Sequence, residues 1–315
     1  MSINKTIGKE KTVFGKTTNP SNIEPIKLTE NSRLRFRCHP GVRCFTACCG
    51  NIKIILTPYD ILQLTKRLGM TAAEFLHKYT EPTYLEKTDM PGVVIKMRES
   101  DNKCSFVTDQ GCTVYTDRPT ACRYYPVGMA DFREGGGRDE HGNELTADED
   151  KFYFLVREDH CKGHEEDKEW TVGEWRADQG VDVRDEMNKK WLRLIMRRKS
   201  FGHQATLSEQ AKRMFFMAST DLGHFRRFIF ESSFLDTYEV DPEVLEKIRT
   251  DDVELMHFSF EYLAHTLFGA KSPLLTIRPE KVKEKVTQLQ KKRDEAVLEA
   301  VQDYEDLKAG RGGEK

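Results

Sequence analysis

Eight cysteines are the residues of this chain best suited to chemistry: Cys38, Cys44, Cys48, Cys49, Cys104, Cys112, Cys122 and Cys161. All lie between residues 38 and 161. Four of them crowd into "RCHPGVRCFTACCG" (37–50), which has a Pro, two Gly and no apolar period of its own. Irregular backbone of this kind can turn several thiolates inward onto a metal, zinc at about 2.3 Å or the irons of an iron–sulfur cluster. Structural zinc sites usually present close CxxC pairs, and this sequence has none. It has instead a Cx3C from Cys44 to Cys48, an adjacent Cys49, and single cysteines arriving at 104, 112 and 122. That pattern resembles an iron–sulfur site assembled from several segments. Adjacent side chains diverge, so Cys48 and Cys49 are expected to serve different irons of a cluster, or one of them is structural.

All eight thiols are candidate ligands. They exceed the four that one ordinary cluster needs, so some are structural or the site is larger or double. An all-thiolate centre carries negative charge that nearby cations stabilise. Arg43, Arg118 and Arg123 are the candidate cofactor-contacting cations, with Lys103 next to Cys104. Ordinary surface solvation is their alternative reading. His164 follows Cys161 by three residues as a further ligand option, although a lone histidine in "CKGHEEDKEW" is expected to be exposed.

The elements that must position these groups are partly legible. After the first cysteines "NIKIIL" reads as a short strand. In "TPYD", Thr57 is an N-cap, Pro58 the first helical residue and Asp60 the capping partner of a helix through Leu68, closed by Gly69. "TAAE" repeats the grammar with Thr71 and Glu74 for a second helix to about Tyr79. "GVVIKM" reads as a strand, "KCSFVTDQGCTVY" as a hairpin turning at "TDQG", and "KFYFLV" as another strand. The Gly-rich, charged "DFREGGGRDEHGNELTADED" between them reads as a loop.

Beyond Glu174 the patterns are helical: "DVRDEMNKKWLRLIMRRK", "SEQAKRMFFMASTDLGHFRRFIF", "DPEVLEKIRT" with Asp241 as cap, and "DDVELMHFSFEYLAHTLFG". A last candidate helix, from Pro279 to about Leu307, has an apolar stripe through Val282, Val286 and Val297. It is expected to dock on the domain, with pairing to a second chain as the other option. The expected fold class is α+β: a polar arm at 1–32, a small cysteine-rich α+β module at 33–170, a mainly helical C-terminal half at 171–308, and a short tail at 309–315.

The totals narrow the class further. With 315 residues the chain can bury a core without covalent staples, and its start has no apolar signal-peptide run. Structural disulfides are therefore not expected, and a reducing cytoplasm is. No apolar run suits a membrane span, and a net charge of −2 offers no field for nucleic acid. "RLIMRRK" fits the solvated side of a helix.

With these residues in view, a resemblance emerges. C-x5-C-x3-CC, followed by Cys112, Val114, Tyr115, Arg118, Pro119, Cys122, Arg123, Tyr125 and Pro126 in "GCTVYTDRPTACRYYP", resembles the YkgJ family of cysteine-cluster proteins, described as zinc- or iron-chelating domains. Val and Tyr replace the family's usual Ile and Phe, and the first spacing is wider than usual. The resemblance covers about residues 36–165 and implies a metal or iron–sulfur centre in a cytoplasmic protein. Some flagellin lysine methylases look like longer relatives, but "EGGGRDEHGN" does not open a helix as an S-adenosylmethionine fingerprint would.

The leading expectation is an iron–sulfur protein, with a cluster of [4Fe–4S] type or larger, acting in electron transfer, in redox sensing or as an accessory to an enzyme, with a protein redox or client partner. The alternative is a zinc-stabilised module whose helical half recognises a partner protein. A third is a metal-dependent enzyme such as a protein lysine methylase. No triad, phosphate loop or carboxylate pair names catalytic residues for it.

Overall fold

The computed structural model describes residues 27–85, 88–131, 151–200 and 206–284, and scattered positions from 286 to 298. The lead-in to residue 26, the Gly-rich segment 132–150 and the end of the C-terminal helix lie outside the described residues. The protein is a mixed α+β structure whose strands pair two by two, antiparallel, and its chain divides into compact units at Met1–Gly223 and His224–Lys315.

In the first unit, β1 (Arg33–Arg35) leads into the cysteine loop. Successive tight turns follow: Val42 N–H donates to His39 O, Phe45 N–H to Val42 O and Ala47 N–H to Cys44 O, all at 2.9–3.0 Å, before a 3-10 turn at Ala47–Cys49. Thr46 takes up the reversal at φ 66°, a left-handed conformation that is an outlier for a β-branched residue. The loop is then tied down from outside itself, by Cys104 N–H to Cys49 O at 2.7 Å and Asn51 N–H to Asn102 O at 2.9 Å.

The helices α1 (Pro58–Leu68) and α2 (Ala72–Tyr79) start at Thr57 and Thr71, each with both bonds of a capping box, and α1 stops at Gly69 with φ 62°. Helix α2 runs directly into β2 (Thr80–Leu85), which pairs with β3 (Met90–Ile95). "NIKIIL" is not a strand of its own. It is bridged alongside β3, with Leu56 N–H on Val93 O and Ile95 N–H on Ile54 O, both 3.0 Å. The expected hairpin exists in minimal form, β4 (Val107–Thr108) against β5 (Gly111–Cys112). Gly111 has φ 114°, and a side chain there would also meet the Phe45 ring.

Next, α3 (Thr120–Tyr124) carries Cys122. β6 (Val127–Asp131) pairs with β7 (Lys151–Leu155), and β8 (Glu169–Thr171) returns to pair with β1, Leu34 opposite Trp170. A third capping box, Thr171 with Glu174, opens α4 (Val172–Gln179). Gly180, left-handed at φ 63°, separates α4 from α5 (Val181–Ser200), and α6 (Glu209–Thr220) follows. Two cores result. One gathers Ile54, Leu56, Ile61, Leu64, Phe75 and Phe106, the other Leu34, Phe36, Tyr153 and Trp175.

The second unit holds all but the first two residues of α7 (Leu222–Glu231), then α8 (Phe234–Thr237), β9 (Tyr238–Val240), α9 (Pro242–Thr250), α10 (Asp252–Phe268) and β10 (Leu275–Ile277), which pairs with β9. Its core is aromatic, with Phe225, Phe234, Phe258 and Tyr262 ring to ring. The run read as one helix from Ser208 breaks at Asp221, where the hydroxyls of Ser219 and Thr220 both donate back to Phe216 O and loosen the last turn. Val282, Val286 and Val297 are exposed, so at these positions the stripe of the last helix is not docked. No helix among the described residues is long and apolar enough to cross a membrane.

Candidate metal centre

All eight cysteines are free thiols. The electrostatics of the first unit sort them into two groups of four. Burial and the neighbouring Cys48, Cys44 and Cys161 push the Cys38 thiol up to about 11, and Cys161, raised chiefly by burial, is raised further by Cys44 and Cys48. On the other side, burial pushes Cys122 up to about 12, with Cys104, Asp60 and Cys112 adding to the rise. Burial likewise raises Cys104, and Cys112 adds to it. Cys49 is raised first by its hydrogen bond with Cys48, then by burial and the Cys48 charge, and it joins this second group through the smaller contributions of Cys122 and Cys104. Cys48, holding the other end of that bond, is lowered to about 7. The quartets are thus Cys38, Cys44, Cys48 and Cys161, and Cys49, Cys104, Cys112 and Cys122, joined at the adjacent pair.

The fold explains the division. In the 3-10 turn Cys48 and Cys49 are hydrogen-bonded side chain to side chain, so the two groups meet there. Cys49 packs toward the core that also holds Cys104, Cys112 and Cys122, where Cys104 is buried. Cys48 stays with the loop, whose Cys38 is exposed, and with Cys161, which packs on the core around Phe36.

Backbone donors are in place on both sides. The N–H groups of Phe106 and Val114 hold Cys104 and Cys112 down against burial, and Gly163 does the same for Cys161, each from two residues further on. Lys162 N–H donates to Cys44 Sγ at 3.0 Å. Such bonds favour thiolate over thiol.

Residues 37–162 match the CxxCxxCC family model, described as "Putative zinc- or iron-chelating domain". This segment is similar to the cysteine-cluster domains of that family. The match spans about two fifths of the chain, and within it the opening cysteines stand as C-x5-C-x3-CC. No curated protein and no solved structure matches the chain.

The donor set of this segment fits a metal. Each quartet offers four sulfurs and amide donors aimed at them. Beside Cys161 the buried Tyr125 hydroxyl has no regular hydrogen-bond partner, yet it opposes the rise of that thiol, as a donor waiting for a thiolate does. Among the described residues no three His, Cys, Asp or Glu side chains already stand in an arrangement that would hold an ion. The quartets are neighbourhoods rather than closed cages, and binding has to draw their sulfurs together.

The three arginines play different parts. Arg118 is buried, stacks on Tyr115 at 3.9 Å, donates to Tyr115 O at 2.8 Å and to Gln179 Oε1, and its charge lowers thiols of both quartets: Cys38, Cys112 and Cys122. Arg123, also buried, spends its guanidinium on carbonyls, those of Arg118 (3.1 Å), Gln179 (2.6 Å) and Thr116. It fastens the backbone around α3. Arg43 is on the surface, 3.7 Å from Glu165. His164 is not exposed as expected. It is half-buried, edge-on to Phe36 at 5.1 Å, with Nε2 on Val156 O.

Two residues that matter here were not singled out as site residues from sequence. Tyr125 falls inside the recognised motif but gives no signal of its own. Asp60 reads as a helix cap, yet it is fully buried and also accepts Thr120 N–H at 2.9 Å, Thr120 Oγ1 at 2.7 Å and Arg184 Nη1 at 3.3 Å, anchoring α3 and with it Cys122.

Proposed function

We propose that this chain is an iron–sulfur protein with two clusters, one on Cys38, Cys44, Cys48 and Cys161 and one on Cys49, Cys104, Cys112 and Cys122, and that it relays electrons to a protein partner. The observation that carries this reading is that Cys49, Cys104, Cys112 and Cys122 pack on one core while Cys161 packs on the other. Two redox centres whose ligands are neighbours in the chain have a short path between them. One quartet reaches the surface at Cys38, and the other is sunk in an apolar core, as an entry and an interior store would be. The amide donors and Arg118 are the features that tune a cluster's potential. Zinc is the second reading, favoured by the fourfold grouping itself, since structural zinc takes four thiolates and would bind the separated segments without redox chemistry.

Anaerobic purification with iron, acid-labile sulfide and zinc analysis, followed by EPR of the reduced protein, separates the two. The iron–sulfur reading expects about eight irons and about eight sulfides per chain. A colourless protein with two zinc ions would overturn it.

A further inference from the structure

Beside the second quartet, on the far side of α3 from its role in holding Cys122, a cleft of about 200 Å³ opens between the start of α1, α3, β6 and one stripe of α5. Asp185, Asn188 and Leu192, at helical spacing on α5, form one wall, and Thr57, Thr120, Tyr124 and Met129 form the rest. The metal-binding reading does not use this cleft.

The polar atoms of the lining leave one buried acceptor without a partner. Thr120 gives its hydroxyl proton to Asp60 Oδ1 at 2.7 Å, so its oxygen accepts from Asn188 Nδ2 at 3.4 Å. That fixes the Asn188 amide with its oxygen the other way round. Asn188 is only 3% exposed, and its Oδ1 has no partner. An acceptor buried in this state is costly unless something supplies a hydrogen. The Tyr124 hydroxyl donates to Asp185 Oδ1, while Asp185 Oδ2 takes Arg176 Nη2 at 2.8 Å, and Arg176 also pairs with Asp182 at 2.6 Å. One guanidinium thus faces two carboxylates, and the balance behind the cleft is negative. Thr57 Oγ1 already accepts Asp60 N–H. Among the described lining residues there is no lysine or arginine, and Met129, Leu192 and the Tyr124 ring supply apolar surface.

We propose that this cleft binds a small aliphatic amine in its ammonium form, with the ammonium hydrogens on Asn188 Oδ1 and the Asp185 carboxylate and the alkyl stem against Met129 and Leu192. Carboxylates and phosphates are disfavoured by the Asp185 carboxylate, with no cationic side chain among the described lining residues to offset it. The volume lies below that of sites for drug-sized molecules, which limits the stem to a few carbons. The assignment stands whichever metal the quartets hold.

The test is a titration of the full-length protein as isolated with n-butylammonium chloride, sodium butyrate and n-butanol, followed by ligand-observed NMR through the ~mM range expected for so few contacts. Saturable binding of the ammonium alone is expected. Asn188→Leu should weaken it by about tenfold or more, the loss of a hydrogen bond to a charged group. Leu192→Trp, at a position 46% exposed and therefore safe for the fold, should fill the mouth and abolish it with unchanged metal content and unfolding temperature. Butyrate binding as well as the ammonium, undiminished binding to Leu192→Trp, or no saturation by the ammonium would each overturn the proposal.

Discussion

Replacing Cys48 or Cys49 by Ala removes one thiol from neighbouring positions, yet the structure assigns the two losses to different centres. Cys48→Ala leaves Cys38, Cys44 and Cys161 with three sulfurs and the second quartet intact, and Cys49→Ala does the reverse. Each variant should therefore keep about half of the wild-type metal, because a cluster held by three thiolates and no replacement ligand is readily lost. The residual halves should also differ. After Cys49→Ala the survivor is near the surface at Cys38 and should be quickly bleached by a soluble chelator or oxygen. After Cys48→Ala the survivor lies in the core with the buried Cys104 and should persist. The grouping extends along the chain: Cys161→Ala should copy Cys48→Ala, and Cys122→Ala should copy Cys49→Ala, in metal content and EPR spectrum. The double variant should hold no metal. The measurement is metal per chain by elemental analysis, with spectra of each variant prepared anaerobically. If Cys48→Ala and Cys161→Ala gave different residual spectra, or if any single substitution stripped the protein of all its metal, the two-quartet reasoning would be wrong.

Three further outcomes are expected. Asp60→Asn leaves Arg184, 6% exposed, without its counter-charge and weakens the anchor of α3, so denaturant unfolding should show a loss of about 3–5 kcal/mol; a change under about 1 kcal/mol would contradict the anchoring role. Thr46→Gly removes the left-handed strain between Cys44 and Cys48 and should stabilise the metal-free protein by roughly 1 kcal/mol, the strain relieved less the chain entropy that glycine adds; a destabilised variant would argue against the φ of 66°. Arg98 clasps Asp101 at 2.8 Å in the turn that presents Cys104, and the carboxyl is held down to about 2 from its usual 3.8, first by that bond. Its contribution is complete above about pH 4 and lost as pH falls toward 2, so Asp101→Asn should lower the unfolding temperature at pH 6 and match the wild type at pH 2; an equal difference at both pH values would exclude this linkage.

What could be read from the sequence is what is encoded locally. The capping boxes at Thr57 and Thr71, the Gly69 stop, the "TDQG" hairpin and the Asp241–Pro242 start each need only a few consecutive residues, and each is found where the sequence puts it. Pairings between distant segments were not legible. β1 finds β8 across 134–138 positions, β6 is recognisable as a strand only once β7 lies against it, and "NIKIIL" joins β3 by bridges. The cysteines show the same split. Adjacency predicts that Cys48 and Cys49 diverge, yet their thiols share a hydrogen bond, and the further neighbours of each, Cys161 and Cys122, are brought in by separate parts of the fold. Arg118 and Arg123 look alike in "DRPTACR", and what distinguishes them is Gln179, whose side chain takes one guanidinium and whose carbonyl takes the other.

The helical part of the first unit has a specific task in this arrangement. Cys122 stands on a helix of five residues, too short to be stable by itself. Its position is fixed from both sides. On one, the Asp60 carboxylate at the head of α1 takes the first N–H and hydroxyl of α3. On the other, the end of α4 at Gln179 receives Arg118 and Arg123, and Arg184 from α5 completes the charge on Asp60. The helices following the cysteines therefore act as the frame of the second quartet. No comparable frame surrounds Cys38 and Cys44, which hang on a loop held by short turns, by Lys162 N–H and by the bond between His39 and Glu166. A centre built on the framed quartet should form first and hold its metal longer. The loop quartet, tied to it through the 3-10 turn at Cys48 and Cys49 and through Tyr125 beside Cys161, is the place where exchange with the surroundings should begin.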